Sequence, residues 1–148
     1  ERARRVASDV ESRTLAVEHA VAAEPAPRVL LVVGSAPVVA AGPHSFLDEL
    51  IRRAKASNVV TAGTSWQTLE LERVVEIDPD VVIDASDDSY EAVSLVMAQS
   101  PGWSQVRAVR TGHVIAMSDA RVLRPGPRVA EGLAVLARAL HPNATARL

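Results

Sequence analysis

The chain has 148 residues, a formal net charge of −2, 48% hydrophobic residues and 23% charged residues. That length supports one compact domain with its own core, and the charge balance argues against a basic nucleic-acid surface. The chain has no cysteine, which excludes disulfides and thiolate metal sites, and no run approaches the roughly 18 apolar residues of a membrane span.

The opening ERARRVASDVESR lacks Met and any signal-peptide pattern and reads as mid-helix, so the expectation is a longer protein upstream. Val6, Val10, Val17 and Val21, with Ala3, Ala7 and Ala20 beside them, predict an amphipathic helix that stops before Pro25 and Pro27. Arg28–Val33, RVLLVV, predicts a strand buried on both faces, and residues 34–43, with two Gly and two Pro, a loop. Ser45 and Asp48 have capping-box spacing, and Phe46, Leu47, Leu50, Ile51 and Ala54 share one helical face. Asn58–Thr61 predicts a short strand, Leu71, Val74 and Val75 a short helix ending near Asp78-Pro79, and Asp80–Asp84 a buried strand. A helix over Ser89–Gln99 with Val93, Val96 and Met97 inward is broken by Pro101-Gly102. His113–Met117 predicts a further strand. The last helix starts at Pro127, carries Val129, Leu133, Leu136 and Leu140 inward and ends at His141-Pro142, with Asn143–Leu148 as a frayed tail. Strands alternating with helices give an α/β fold with a mainly parallel sheet flanked by helices.

Few patterns point to chemistry. His19, His44, His113 and His141 lack ligand spacing and HExxH is absent, so no metal set is assigned. Gly34-Ser35-Ala36-Pro37 follows a strand, but GxGxxG and GxxxxGK[ST] are both missing and Pro37 removes an N–H, so a plain turn is expected. Asp84, Asp87 and Asp88 cluster after a strand end, where carboxylates cap helices or hold a metal. No GxSxG and no partner base accompany them, and no catalytic residue is assigned. Glu72 lies in the first turn of a short helix and should face solvent. Only Phe46, Trp66, Tyr90 and Trp103 are aromatic. Trp66, in the polar turn GTSWQT, either folds back on the core or meets a ligand, and Trp103, after a helix stop, should pack over the sheet edge.

The segment order RVLLVV, GPHSFLDELIRRAKASNVV, SWQTLELERVVEIDPDVVID, PGWSQVRAVRTGHVIAM and RPGPRVAEGLAVLARALHP resembles the C-terminal lobe of the class III, helical-backbone periplasmic binding proteins, above all the vitamin B12-binding branch. The most specific pieces are Ala54–Val60, Glu72–Ile83 and Pro125–Arg128. The resemblance implies the end of a long inter-lobe linker helix over residues 1–24, a Rossmann-like lobe over 28–142 and a tail over 143–148. It implies a solute-binding component of an ABC importer, periplasmic or otherwise extracytoplasmic and lipid-anchored or exported as part of the parent protein. The ligand would be a corrinoid such as cobalamin, with haem or a ferric siderophore as alternatives, carried as cargo with no resident cofactor. Trp66 matches the family's stacking aromatic, Asp119, Arg121 and Arg124 its polar ligand contacts, and Glu72 the carboxylate that docks on permease arginines. Two positions depart from the pattern. Lys55-Ala56 replaces a frequent Gly pair, and Glu70 stands where a Ser-like helix cap is common. Without the first lobe, half a cleft exposes an apolar face that invites self-association. Readings from other classes are a small α/β metal-dependent hydrolase using Asp84, Asp87 and Asp88, and an interaction module that pairs with itself or with another subunit.

Overall fold

The computed structural model describes residues 1–35, 37–86 and 100–148. The chain order is α1 (Arg2–Val21), β1 (Arg28–Ser35), β2 (Val38–Ala41), α2 (Phe46–Arg53), β3 (Ser57–Asn58), β4 (Trp66–Leu69), α3 (Leu71–Ile77) and β5 (Val81–Asp84). A 3-10 turn (Trp103–Gln105), α4 (Arg107–Arg110), β6 (Val114–Ala116), α5 (Ala120–Leu123), α6 (Val129–Leu140) and a second 3-10 helix (Pro142–Arg147) complete it. The predicted Ser89–Gln99 helix, with Tyr90, lies outside the described residues, as do Asp87 and Asp88.

The sheet runs β4-β2-β1-β5-β6, with β3 also paired to β1. β1 pairs in parallel with β3 and β5, and β5 with β6, which gives the expected parallel centre. β2 and β4 are antiparallel additions on one edge, where such strands commonly join a parallel sheet. They correct two expectations. The loop over residues 34–43 contains β2, because Val38–Ala41 can pair despite the flanking Pro and Gly. Trp66 lies at the start of edge strand β4 rather than in a turn. Asn58–Thr61 shortens to a bridge at Ser57–Asn58.

Alternation along the central strands feeds two cores. Val29, Leu31, Val81 and Ile83 point to the face covered by α1, α2, α5 and α6. Leu30, Val32 and Val82 point to the opposite face, against Val74, Trp103 and Val106. Trp103 therefore packs on the face of the sheet, not over its edge. α6 buries Leu133, Leu136 and Leu140 as its spacing predicts.

Three local devices complete the lobe. Ser45 Oγ accepts from the Asp48 N–H at 3.0 Å, half of the expected capping box. Asp48 itself turns to Asn58 Nδ2 (2.9 Å) and the His44 N–H (3.3 Å), tying β3 to the loop before α2. After α2 the chain reverses at Lys55 with φ 60°, the left-handed region, and His141 Nε2 lies 2.7 Å from the Ala54 carbonyl and 3.0 Å from that of Lys55. The tail is not frayed. Ala144 is fully buried, Arg147 Nε donates to the Ala20 carbonyl at 3.0 Å and its guanidinium pairs with Glu24.

α1 departs from its expected burial. Thr14, Val17 and Val21 are buried, but Val6 is 49% exposed, and residues 1–9 lie at the surface. With Ala3 and Val10, Val6 lines an open groove against Pro127 and Val129. No described helix is long and apolar enough to cross a membrane.

Candidate functional site

Trp66 is held from below by backbone. Ala41 and Trp66 face each other in the β2–β4 ladder, so they share a sheet face, the face that carries α2. Gly42 makes the approach possible. Its N–H donates to the Ser65 carbonyl at 2.7 Å, and a Cβ on Gly42 would lie 1.9 Å from the Thr64 carbonyl oxygen. Thr64 Oγ1 donates to the Trp66 carbonyl at 2.7 Å, and Gln67 Oε1 accepts from the Thr64 N–H at 3.1 Å. The turn is thus fixed by its own side chains, while the indole is 53% exposed. Neither Gly42 nor Gln67 stood out in the sequence. The Ala-Gly-Pro run hinted only at a turn, and the contact is made with a segment more than twenty residues away.

At the far edge, Asp119 caps α5 by accepting from the Arg121 N–H at 2.9 Å. Arg121 folds back on it, with Nε 3.0 Å from Oδ1 and Nη2 2.6 Å from Oδ2. The second side of the Arg121 fork reaches Glu131 at 3.5 Å, and Glu131 is held by Arg128 at 2.6 Å. The Arg121 guanidinium and N–H hold the Asp119 carboxyl down at about 2. The same pairing raises Arg121, and the Arg128–Glu131 pair raises Arg128 and lowers Glu131. Two cations and two anions therefore satisfy one another. The close seat of α5 on α6 requires Gly132, where a Cβ would lie 1.9 Å from the Arg121 carbonyl oxygen. Arg124 is exposed and makes no ion pair among the described residues.

These candidates are not one cluster. Asp119 and Arg121 touch. Trp66 begins the opposite edge strand, four inter-strand steps from β6, or about 19 Å at the usual spacing. Glu72 stands on α3, exposed as expected and without an ion pair among the described residues. A ligand meeting both Trp66 and the α5 loop must be broad.

The Asp-Pro-Asp step that ends α3 is structural. Asp78, with φ 50°, ends the helix, and its Oδ1 accepts from the Arg107 N–H at 2.7 Å. Arg28 donates to the carbonyls of Ile77 (2.7 Å) and Asp78 (3.0 Å), and Asp80 accepts from the Arg28 N–H at 3.0 Å and pairs with Arg107 at 3.3 Å. Asp84 is 2% exposed. Its Oδ1 accepts from the Ser86 N–H at 2.9 Å, and its Oδ2 is buried without a hydrogen-bond partner among the described residues. No group of three His, Asp or Glu side chains placed to hold a metal occurs among the described residues.

The sequence profile of the periplasmic binding protein family matches residues 1–120. The chain belongs to that family. It is 33% identical over 120 residues to a cobalamin-binding protein of Halobacterium salinarum, covering 78% of this chain and 32% of the relative. It is 28% identical over 102 residues to an uncharacterized ABC transporter substrate-binding lipoprotein, YvrC, of Bacillus subtilis, covering 69% of this chain and 31% of that protein. Among solved structures, the periplasmic heme-binding protein BhuT in complex with two hemes superposes with a TM-score of 0.81 at 27% identity, covering 98% of this chain and 56% of that one. The chain thus spans about a third of the curated relatives and about half of the solved one. The family is one of solute-binding proteins, and nothing in these matches supports the hydrolase alternative built on Asp84, Asp87 and Asp88.

Proposed function

We propose that this chain is the C-terminal lobe of an extracytoplasmic solute-binding protein that captures a corrinoid and delivers it to an ABC permease. The exposed indole of Trp66 carries the reading. A half-exposed Trp at the start of β4, beside a turn locked by Gly42, Thr64 and Gln67, offers a flat apolar surface at little further entropy cost. A broad planar macrocycle suits that platform and spans toward the α5 loop, where Arg124 is available and the Asp119–Arg121 pair shapes the rim. The cobalamin-binding relative supports the choice of ligand. α1, which lies at the surface up to Asp9, would continue as the linker to a first lobe outside this chain. Glu72 would dock on basic residues of the permease, where rim charges steer encounter and fix register.

The test is titration of the two-lobe protein with cobalamin by heat and Trp fluorescence. Tight one-to-one binding that Trp66→Ala weakens by about 1–3 kcal/mol is the expected result. Absence of cobalamin binding, with haemin bound instead, would transfer the lobe to the second reading, which the likeness to the two-heme complex favours.

A further inference from the structure

The docking role of Glu72 rests on the reading above, and the surface beside Glu72 has features that the reading does not use. Between α3 and the turn at Pro101–Gln105 runs an open groove of about 470 Å³, lined by Leu71, Glu72, Val75, Glu76, Pro101 and Gln105, with Gly102 between the last two. We infer that this groove is the seat of a single arginine side chain of the permease, with Glu76 as a second docking carboxylate beside Glu72.

Helix geometry sets the arrangement. Glu72 and Glu76 are four residues apart and form one row, while Leu71 and Val75 form the neighbouring row. Val74 is fully buried in the core, whereas Leu71 and Val75 are only partly covered, so α3 presents an unfinished apolar strip beneath two carboxylates. The opposite wall is kept clear by Gly102. Its φ is 91°, and a Cβ there would lie 2.7 Å from Leu71 Cδ2. No basic side chain among the described residues lines the groove. Glu72 has no ion pair among the described residues. Glu76 pairs with Arg73 at 3.0 Å, but both side chains are more than 60% exposed, and a pair of that kind contributes little and exchanges readily.

An apolar strip ending at two acids one helical turn apart suits an arginine. Its aliphatic stem lies on Leu71, Val75 and Pro101, and its planar five-donor fork spans two carboxylates with matched geometry, where a lysine ammonium is a compact point charge. Gln105 adds a polar side chain to the same lining.

The test uses the two-lobe protein with its permease and ATPase subunits in liposomes, reading the concentration that half-saturates docking. The variants are Glu72→Gln, Glu76→Gln, Gln105→Arg and the double change Arg73→Gln with Glu76→Gln, which removes the freed cation as a cause. Gln105→Arg places a guanidinium in the groove from within. Loss of about tenfold in docking for Glu76→Gln, for the double variant and for Gln105→Arg is expected, with an unchanged thermal midpoint. Parent-like docking by the double variant or by Gln105→Arg, with Glu72→Gln impaired, would overturn the groove assignment while leaving the docking reading intact. Parent-like docking by all four would remove both.

Discussion

At the C-terminal end of α3, Asp78, Asp80, Arg28 and Arg107 hold one another and the backbone. Less than two turns away, Glu72 meets no cation among the described residues. Both ends sit in the same strip of sequence, Glu72–Ile83, which resembles the family as one piece. The difference teaches that a charged motif is read by what its charges are already bound to. A closed set of donors and acceptors holds the fold together. A carboxylate beside an apolar groove with no cation of its own is available to a partner. The α5 region belongs with the closed end, since Asp119, Arg121, Glu131 and Arg128 balance internally. Trp66 belongs with the open one.

If that division is right, changes in the closed regions cost stability and changes in the open ones do not. The largest effect is expected at Gly132, where a Cβ would meet the Arg121 carbonyl at 1.9 Å. Gly132→Ala should lose about 2 kcal/mol net, overpacking of up to roughly 3 kcal/mol outweighing about 1 kcal/mol of gained helix propensity. Gly126→Ala, with open space around it, should stay within about 0.5 kcal/mol. Equal urea midpoints for the two would mean that α5 is not seated as described. Next comes Arg28→Met, which keeps the apolar stem but abandons the carbonyls of Ile77 and Asp78. A loss of about 1 kcal/mol is expected, with docking and cobalamin affinity unmoved. A functional loss without a stability loss would break the comparison at its closed end.

A smaller effect of opposite sign is expected at the start of α3. Glu70 occupies the N-cap with φ −70° and ψ 146° but makes no side-chain cap bond. Glu70→Ser should raise stability by about 0.5–1 kcal/mol in thermal melting. No gain would mean that solvent already satisfies the first-turn N–H groups. Glu72→Gln, two positions on, should leave the midpoint within about 0.5 kcal/mol while docking falls.

The alternation of strands and helices was legible because RVLLVV, VVID and the α6 stripe are long enough to declare their period. β2 and β4 were not, because four-residue strands among Gly, Pro, Ser and Thr carry a turn's composition. Glu72 and Trp66 were legible as candidates because a first-turn Glu and a rare aromatic stand out. Their standing was not, because it depends on partners distant in sequence. Gly42 meets Thr64, and Gly132 meets Arg121, across gaps that no local pattern reports. Lys55 shows the converse. The sequence shows only that Lys55-Ala56 replaces a frequent Gly pair; Lys55 takes the left-handed conformation at φ 60°, and its carbonyl is held by His141, 86 residues later.

The smallest effect expected decides to which end Asp119 belongs. Its carboxyl is held at about 2, below the ordinary 3.8, first by the Arg121 side chain and then by the Arg121 N–H. A carboxyl lowered in the folded state contributes stability that is fully present above the unfolded value and is lost as pH falls through the folded one. Asp119 should therefore contribute part of the acid-side loss between about pH 4 and pH 2. Asp119→Asn keeps the cap oxygen for the Arg121 N–H and removes the titration, so its stability profile should be flatter over that window and run parallel to the parent above it. If Asp119 is occupied by Arg121 alone, cobalamin affinity of the two-lobe protein should match the parent at pH 7. A fall in affinity with an unchanged acid limb would instead mean that Asp119 leaves Arg121 for the ligand, and the α5 loop would join Trp66 as an open surface.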